Sequence, residues 1–107
     1  MTPKQASDEQ VTSELAVRIL GWKAAPDRYL KGDRSWIPRW RFTPLTRIED
    51  AFQLLERACR YRLQLNDDGI FVAEVRIGGS TGKASGKFQA RVITLAIAKA
   101  VGVEVLQ

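Results

Sequence analysis

One turn and the two stretches beside it constrain the fold of this chain more than any other feature. Residues 66–69 read Asn-Asp-Asp-Gly, a sequence typical of a tight turn. Before the turn, apolar residues alternate with polar ones: Tyr61, Leu63 and Leu65 against Arg60, Arg62 and Gln64. A second stretch with strand character, Ile70–Ile77, follows the turn. The pattern predicts a half-exposed β-hairpin and therefore an antiparallel sheet.

Two helical segments precede this hairpin. An apolar stripe predicts a first helix over residues 8–20, capped by Ser7 and ended by Gly21. Thr46 and Glu49 have the spacing of a capping box, which predicts the start of a second helix. A third helix is predicted after the hairpin, and its composition sets it apart from the other two.

The third predicted helix, Phe88–Val101, is apolar over most of its circumference and ends at Gly102. Such a helix is either the buried centre of the domain or the surface that faces a second subunit. An apolar tail, Val103–Leu106, follows it. Because a small monomer would expose much of this apolar surface, we expect a homo-oligomer.

The length of 107 residues is that of one domain, so we predict a single domain over residues 1–107 with a disordered polar start at residues 1–6. The order of elements is helix, a short strand, helix, two strands, helix. This order predicts the α+β class, as a small layered α/β sandwich with three helices around a short antiparallel sheet.

Residues 22–44 are predicted to form a long basic and aromatic loop, punctuated by four prolines and glycines. From Trp22 to Arg47 the chain has seven basic and two acidic residues, an excess equal to the formal charge of +5 of the whole chain. One short strand is expected at Trp36–Phe42, with Arg39 and Arg41 on the side opposite the aromatic residues.

Two interpretations of this segment remain open. Cations interleaved with flat aromatic rings suit a ligand that carries both phosphates and bases. Alternatively, Trp22, Trp36 and Trp40 anchor the loop in the core while the cations are merely solvated. The two can coexist, because some of the tryptophans can be buried while the cations face a ligand.

Residues 78–87 are rich in glycine and are predicted to form a second loop, ahead of the third helix. Exposed backbone N–H groups in such a loop bind phosphate, and Lys83 and Lys87 would add positive charge. The loop is not a Walker A motif, since Ile77 stands where the first glycine is required and Ala84 where the metal-binding hydroxyl is required. The alternative is a flexible polar connector.

The chain contains no histidine, which removes the commonest general base and the commonest metal ligand. Its carboxylates fall at ordinary helix-capping, solvated and turn positions. The single cysteine, Cys59, is expected to be a small buried hydrophobic residue. We therefore predict a binding protein, with no catalytic residue, metal site or cofactor.

No stretch is apolar for the roughly 20 residues of a membrane span, and no apolar run of a signal peptide opens the chain. We expect a cytoplasmic protein that does not bind membranes.

The chain resembles the phage ABA sandwich domain family over residues 11–102. The resemblance lies in five short motifs: the helix end Ile19-Leu20-Gly21-Trp22, the Phe42-Thr43-Pro44 entry, the helix with Ile48-Glu49-Asp50-Ala51-Phe52 and Leu54-Leu55-Glu56, the hairpin with Asp68-Gly69-Ile70-Phe71-Val72, and the alanine-rich last helix. It implies a compact α/β sandwich encoded by a phage or prophage, acting in a bacterial host cell, and the family pattern offers no catalytic residues.

The resemblance and the basic residues together predict a non-enzymatic protein that binds a small nucleotide or another phosphate-bearing ligand. The leading hypothesis is sequestration of a nucleotide immune signal, which would counter bacterial defence. The alternatives are a nucleic-acid-binding accessory protein, favoured by the pI of about 9.8, and a structural or host-protein-binding factor. The predicted ligand-binding residues are Lys31, Arg34, Trp36, Arg39, Trp40, Arg41, Ser80, Thr81, Lys83 and Lys87.

Overall fold

Residues 8–32 and 34–103 are described by the structure, a computed structural model. They form three α-helices and two three-stranded antiparallel sheets. The elements in chain order are α1 (Asp8–Leu20), β1 (Lys23–Ala24), β2 (Arg28–Leu30), β3 (Trp36–Pro38), a 3₁₀ turn (Arg39–Arg41), α2 (Ile48–Leu55), β4 (Arg60–Leu65), β5 (Phe71–Ile77), β6 (Ser80–Gly86) and α3 (Gln89–Ala100). This architecture confirms the predicted α+β layered class with three helices, although the chain builds two small sheets. The predicted disordered start and most of the apolar tail lie outside the described residues.

The first sheet, β1–β2–β3, corrects the prediction of a long loop at residues 22–44. Backbone hydrogen bonds close its turns, from the Ala25 amide to the Arg28 carbonyl (2.8 Å) and from the Lys31 amide to the Ser35 carbonyl (2.8 Å). Strands of two or three residues have no periodicity to detect, which is why the sequence pattern missed β1 and β2.

The strand predicted at Trp36–Phe42 ends at Pro38. A prolyl nitrogen has no hydrogen to donate, and the chain then turns through Arg39–Arg41 and closes with a hydrogen bond from the Phe42 amide to the Arg39 carbonyl (3.2 Å). The prediction that Arg39 and Arg41 lie opposite the aromatic side chains of one strand is therefore wrong.

The second sheet has the order β4–β5–β6. The predicted hairpin is confirmed: β4 pairs with β5, and Gly69 takes the positive φ of 80° that the turn requires. The predicted glycine-rich loop at residues 78–87 is wrong. Gly78, with φ 64°, opens a two-residue turn that pairs Ile77 with Ser80, and the rest of the segment is strand β6.

Helix α3 packs across β5 and β6 and is the most buried helix of the chain. An added Cβ at Gly82 would collide with the α3 backbone at the Ala96 carbonyl and the Ala100 amide. Glycine in β6 thus allows a helix to lie against the sheet and does not form a flexible loop. Within the described chain α3 belongs to the core, which removes the reason for expecting it to face a second subunit.

Two smaller predictions also need correction. Thr46 does not cap α2: its hydroxyl donates to the Thr43 carbonyl (3.3 Å), and the Asp50 carboxylate accepts from the Thr43 amide (2.9 Å). Cys59, expected to be buried, is exposed because it lies just before the edge strand β4. The Ser7 cap lies outside the described residues, but the bounds predicted for α1 are confirmed.

None of the helices formed by residues 8–32 and 34–103 is long and apolar enough to cross a membrane.

Candidate anion-binding groove

The predicted ligand-binding residues fall in two separate parts of the fold. Six lie in or beside the first sheet: Lys31, Arg34, Trp36, Arg39, Trp40 and Arg41. The other four lie on β6 and just after it: Ser80, Thr81, Lys83 and Lys87. Lys83 and Lys87 line one cleft and Arg39 and Trp40 line another, so the structure offers two candidate sites to compare.

Cations beside the first sheet stack on the aromatic rings of the chain itself. The four pairs are Arg28 over Trp36 (5.1 Å to the ring centroid), Lys31 over Trp22 (5.4 Å), Arg39 over Tyr29 (5.1 Å) and Arg41 over Trp40 (5.9 Å). Such contacts stabilise the folded chain by cation–π attraction. A ligand that stacked on these rings or paired with these cations would have to break these cation–π contacts.

Arg39 is the most firmly held of these cations. Its Nε donates to the Ala25 carbonyl at 2.7 Å, and its Nη1 donates to the Ser13 hydroxyl at 2.9 Å. A weaker ion pair with Glu9 (3.5 Å) completes its contacts. Arg39 therefore ties the 3₁₀ turn to α1 and to the turn after β1, which is a structural role.

The tryptophans divide between core and surface. Trp22 is only 7% exposed and contacts Tyr29 and Phe42 through tilted and edge-on ring contacts with centroids 6.0 and 5.0 Å away. Trp36 and Trp40 are 56% and 73% exposed. The proposed core anchoring thus holds for Trp22 and is wrong for the other two.

The cleft beside Trp40 has a volume of about 460 Å³ and a mainly apolar lining. Two carboxylates, Glu9 and Asp27, also line it. The adjacent Arg28 guanidinium hydrogen-bonds the Asp27 carboxylate (3.1 and 3.2 Å) and lowers the pKa of that carboxyl, so it is ionised at neutral pH. Both carboxylates are paired with arginines, Glu9 with Arg39 and Asp27 with Arg28, so a phosphate in this cleft would have to compete with them for those cations.

The second cleft, which we call the basic groove, has a volume of about 490 Å³ and runs between β6 and α3. Three cationic side chains line it (Lys87, Arg91 and Lys99) together with the backbone of Lys83, whose register places its side chain on the opposite face of the sheet, and none of the described lining residues carries a carboxylate. Phe88, 74% exposed, stands at one end, and Val92 and Leu95 contribute apolar surface. The groove combines positive charge, an accessible aromatic ring and an apolar wall.

Helix geometry brings these residues to β6. Arg91, Leu95 and Lys99 are spaced four residues apart and therefore share one side of α3. Lys99 reaches across the groove and donates from Nζ to the Lys83 carbonyl at 3.2 Å. The ammonium group thus lies directly against the outer edge of the sheet.

The edge of β6 adds backbone donors to the groove. The two-residue turn makes Ile77 and Ser80 a hydrogen-bonded pair, so every second residue of β6 from Ser80 onward bonds to β5. The residues between them, Thr81, Lys83 and Ser85, direct their N–H and C=O groups to the free edge. Uncharged N–H donors beside cations are what phosphate oxygens require.

Sequence reasoning identified Lys83 and Lys87 but missed Phe88, Arg91 and Lys99. The available signal was the position of Arg91 and Lys99, the two charged residues of α3, on one side of an otherwise mainly apolar helix. Ser80 and Thr81 do not line the groove. Ser80 begins β6 at its turn, and Thr81 lies on the opposite face of the sheet.

That opposite face, which we call the outer face, is also basic. Cross-strand register places Arg60 beside Arg76 and Thr81, and Arg62 beside Glu74 and Lys83. A depression of about 290 Å³ on this face is lined by residues that include Arg60, Arg62 and Arg76. Four cations and one carboxylate make this face positive, and helix α3 packs on the other side of the sheet.

Comparison with known proteins relates the fold to phage proteins. No protein-family model matches the chain, and no curated protein matches it. A phage protein from Bacillus cereus ATCC 14579, known from a 2.0 Å crystal structure, has a similar fold, with a TM-score of 0.74 and 16% sequence identity; the match covers 99% of this chain and 97% of that one. The chain therefore has the fold of a phage protein, and the likeness to the phage ABA sandwich domain family stays a prediction.

Proposed function

We propose that this chain is a phage or prophage protein that binds a phosphate-bearing ligand in the basic groove and does not chemically transform it. The observation that carries the proposal is the lining of that groove, where three cationic side chains meet the free edge of β6 and none of the described lining residues is acidic. The cleft beside Trp40 has similar volume but contains two carboxylates. Electrostatics therefore favours the groove for an anion.

A small nucleotide is the ligand class that the groove fits best. Its volume of about 490 Å³ lies in the range of about 300–1,000 Å³ typical of small-molecule sites. Lys87 and Lys99 would pair with phosphates, while the exposed ring of Phe88 would stack on a base. Sequestration of a nucleotide immune signal requires only such binding, and the phage-like fold supports this role.

Nucleic-acid binding is the second candidate, and the outer face favours it. Arg60, Arg62, Arg76 and Lys83 lie along one face of the sheet and form a basic surface, which suits the phosphate backbone of a nucleic acid. Its affinity would fall steeply with salt, with log K falling by about 0.7 to 0.9 per phosphate contact for each unit of log salt concentration.

The test is a thermal-shift and calorimetric screen of cyclic dinucleotides and ADP-ribose derivatives. A ligand at about a hundred times its Kd should stabilise the fold by about 2.7 kcal/mol and raise the Tm by several degrees. The groove variant Lys87→Ala,Lys99→Ala should lose at least about tenfold in affinity, because two phosphate-pairing cations are removed.

The matched control is Arg34→Ala,Arg41→Ala, which removes the same charge from exposed positions beside the first sheet. It should keep its affinity within about twofold. A screen without any thermal shift, or an equal loss in both double variants, would contradict the groove proposal. Salt-sensitive binding of DNA or RNA that is lost in Arg62→Ala,Arg76→Ala would establish the second candidate.

A further inference from the structure

Strand β4 forms an edge of the second sheet, and most of one of its faces is exposed. Tyr61, Leu63 and Leu65 pair in register with Val75, Ala73 and Phe71, so they lie on the face of the sheet where α3 packs. Helix α3 packs mainly on β5 and β6, and on this face of β4 only Leu63 is half-buried against the core. As a result Tyr61 is 51% and Leu65 60% exposed, although both lie on the core side of the sheet.

The same three residues carry the free backbone groups of this edge. The Asn66 amide donates to the Ile70 carbonyl (2.9 Å), which makes Asn66 and Ile70 a hydrogen-bonded pair. Hydrogen-bonded pairs recur at every second residue, so Arg60, Arg62 and Gln64 bond to β5. Tyr61, Leu63 and Leu65 therefore direct their N–H and C=O groups away from the sheet. An edge with free backbone groups and apolar side chains is a template for another strand.

We propose that β4 pairs antiparallel with β4 of a second copy of this chain, about a two-fold axis at Leu63. In this register Leu63 faces Leu63 of the partner subunit, and Tyr61 faces Leu65 of the partner subunit. All three outward residues then exchange backbone hydrogen bonds. The two three-stranded sheets become one continuous six-stranded sheet.

Charge on the outer face selects this register. With the axis at Leu63, Arg62 stands opposite an amide, Gln64 of the partner subunit, and Arg60 opposite another, Asn66 of the partner subunit. If the two-fold axis lay at Arg62, this residue would stand directly opposite Arg62 of the partner subunit. Like charges in that position destabilise a sheet. If the axis lay at Gln64, Tyr61 would have no apolar residue opposite it. The strand is thus complementary to itself in one register.

This association goes beyond the proposed ligand binding and does not depend on it. Strand β6 and the basic groove lie at the opposite edge of the sheet, so both grooves stay open in the dimer. The outer faces of the two copies would join into one basic surface.

Sedimentation or light scattering tests the association directly. The wild-type chain should give a species of twice its 12.0 kDa mass. Tyr61→Lys,Leu65→Lys would place lysines opposite each other at two sites, so the dissociation constant of the dimer should rise about tenfold or more. Trp40→Lys, at an exposed aromatic residue of the first-sheet region, is the control and should leave the dimer intact. A wild-type chain that stays monomeric at every soluble concentration would overturn the proposal.

Cysteine crosslinking tests the register, in a Cys59→Ser background because Cys59 is exposed. Leu63→Cys should form a disulfide-linked dimer under mild oxidation, since directly opposed Cα atoms in a hydrogen-bonded pair are about 5.5 Å apart. Gln64→Cys is the matched control. Its two copies would be about 8 Å apart and should not crosslink. Equal crosslinking at both positions, or crosslinking at Gln64→Cys alone, would overturn the proposed pairing.

Discussion

The two sheets of this molecule both carry several cations, but they use them differently. Beside the first sheet, arginines and a lysine stack on the chain's own rings, and Arg39 is held by two hydrogen bonds. Beside the second sheet, the cations of the basic groove surround a cleft with no acidic residue among its described lining residues. The density of cations along the sequence points to the first region, whereas the spatial arrangement points to the second. Cations that surround a cleft are better placed to bind a ligand than cations that stack on the chain's own aromatic rings.

Beside the first sheet, the largest difference in stability is expected between substitutions of a buried and of an exposed tryptophan. Trp22→Ala should lower the free energy of unfolding by about 3–5 kcal/mol, because Trp22 is buried against Tyr29 and Phe42. Trp40→Ala, at a residue 73% exposed, should change it by about 0.5 kcal/mol or less. Chemical denaturation of the two variants measures both values. Comparable losses would mean that the exposed rings also hold the first sheet together.

In the second sheet, the substitution that tests the packing of α3 against β6 is at Gly82. Gly82→Ala should destabilise the fold by about 3 kcal/mol, since the new methyl group would collide with the α3 backbone, which cannot yield as a side chain would. The control is Gly79→Ala, a turn glycine with a negative φ and open space around its Cα. We expect it to change stability by about 0.5 kcal/mol or less.

Thermal unfolding of the Gly82→Ala and Gly79→Ala proteins distinguishes the two interpretations of this segment. If both substitutions were tolerated, residues 78–87 would behave as the flexible loop that the sequence suggests. A selective loss at Gly82 would show that the basic groove depends on the close packing of α3 against β6.

The parts of the fold that were predictable from sequence have strong local signals. Helix α1 was located from its apolar stripe and Gly21, which adopts a φ of 73° at the helix end. The β4–β5 hairpin was located from alternation and from Gly69 in its turn. In both cases a few neighbouring residues determine the local conformation.

Strand β6 and the groove could not be predicted because their causes are not local. The sequence Ser-Thr-Gly-Lys-Ala-Ser-Gly has low β-propensity and resembles a loop, but its small residues let α3 pack against it. Likewise, Lys83 and Lys99 are sixteen residues apart and meet only because α3 lies along β6. Lys87 could therefore be predicted from its charge and position, whereas Arg91 and Lys99 required the tertiary arrangement.

The smallest of the three stability effects is expected at Arg39, and it tests whether the cations beside the first sheet have a structural role. Arg39→Ala should lower the free energy of unfolding by about 1–3 kcal/mol, because it removes the hydrogen bonds to the Ala25 carbonyl and the Ser13 hydroxyl from a partly buried position. The exposed ion pair with Glu9 should add little to this loss. Arg41→Ala, at the other end of the same 3₁₀ turn, removes an equal charge from an exposed side chain and should cost about 0.5 kcal/mol or less.

Neither variant should weaken ligand binding in the basic groove by more than about twofold. Urea denaturation gives the two stabilities and calorimetry gives the affinities. Equal stabilities with a large loss of affinity in either variant would return the ligand site to the first sheet.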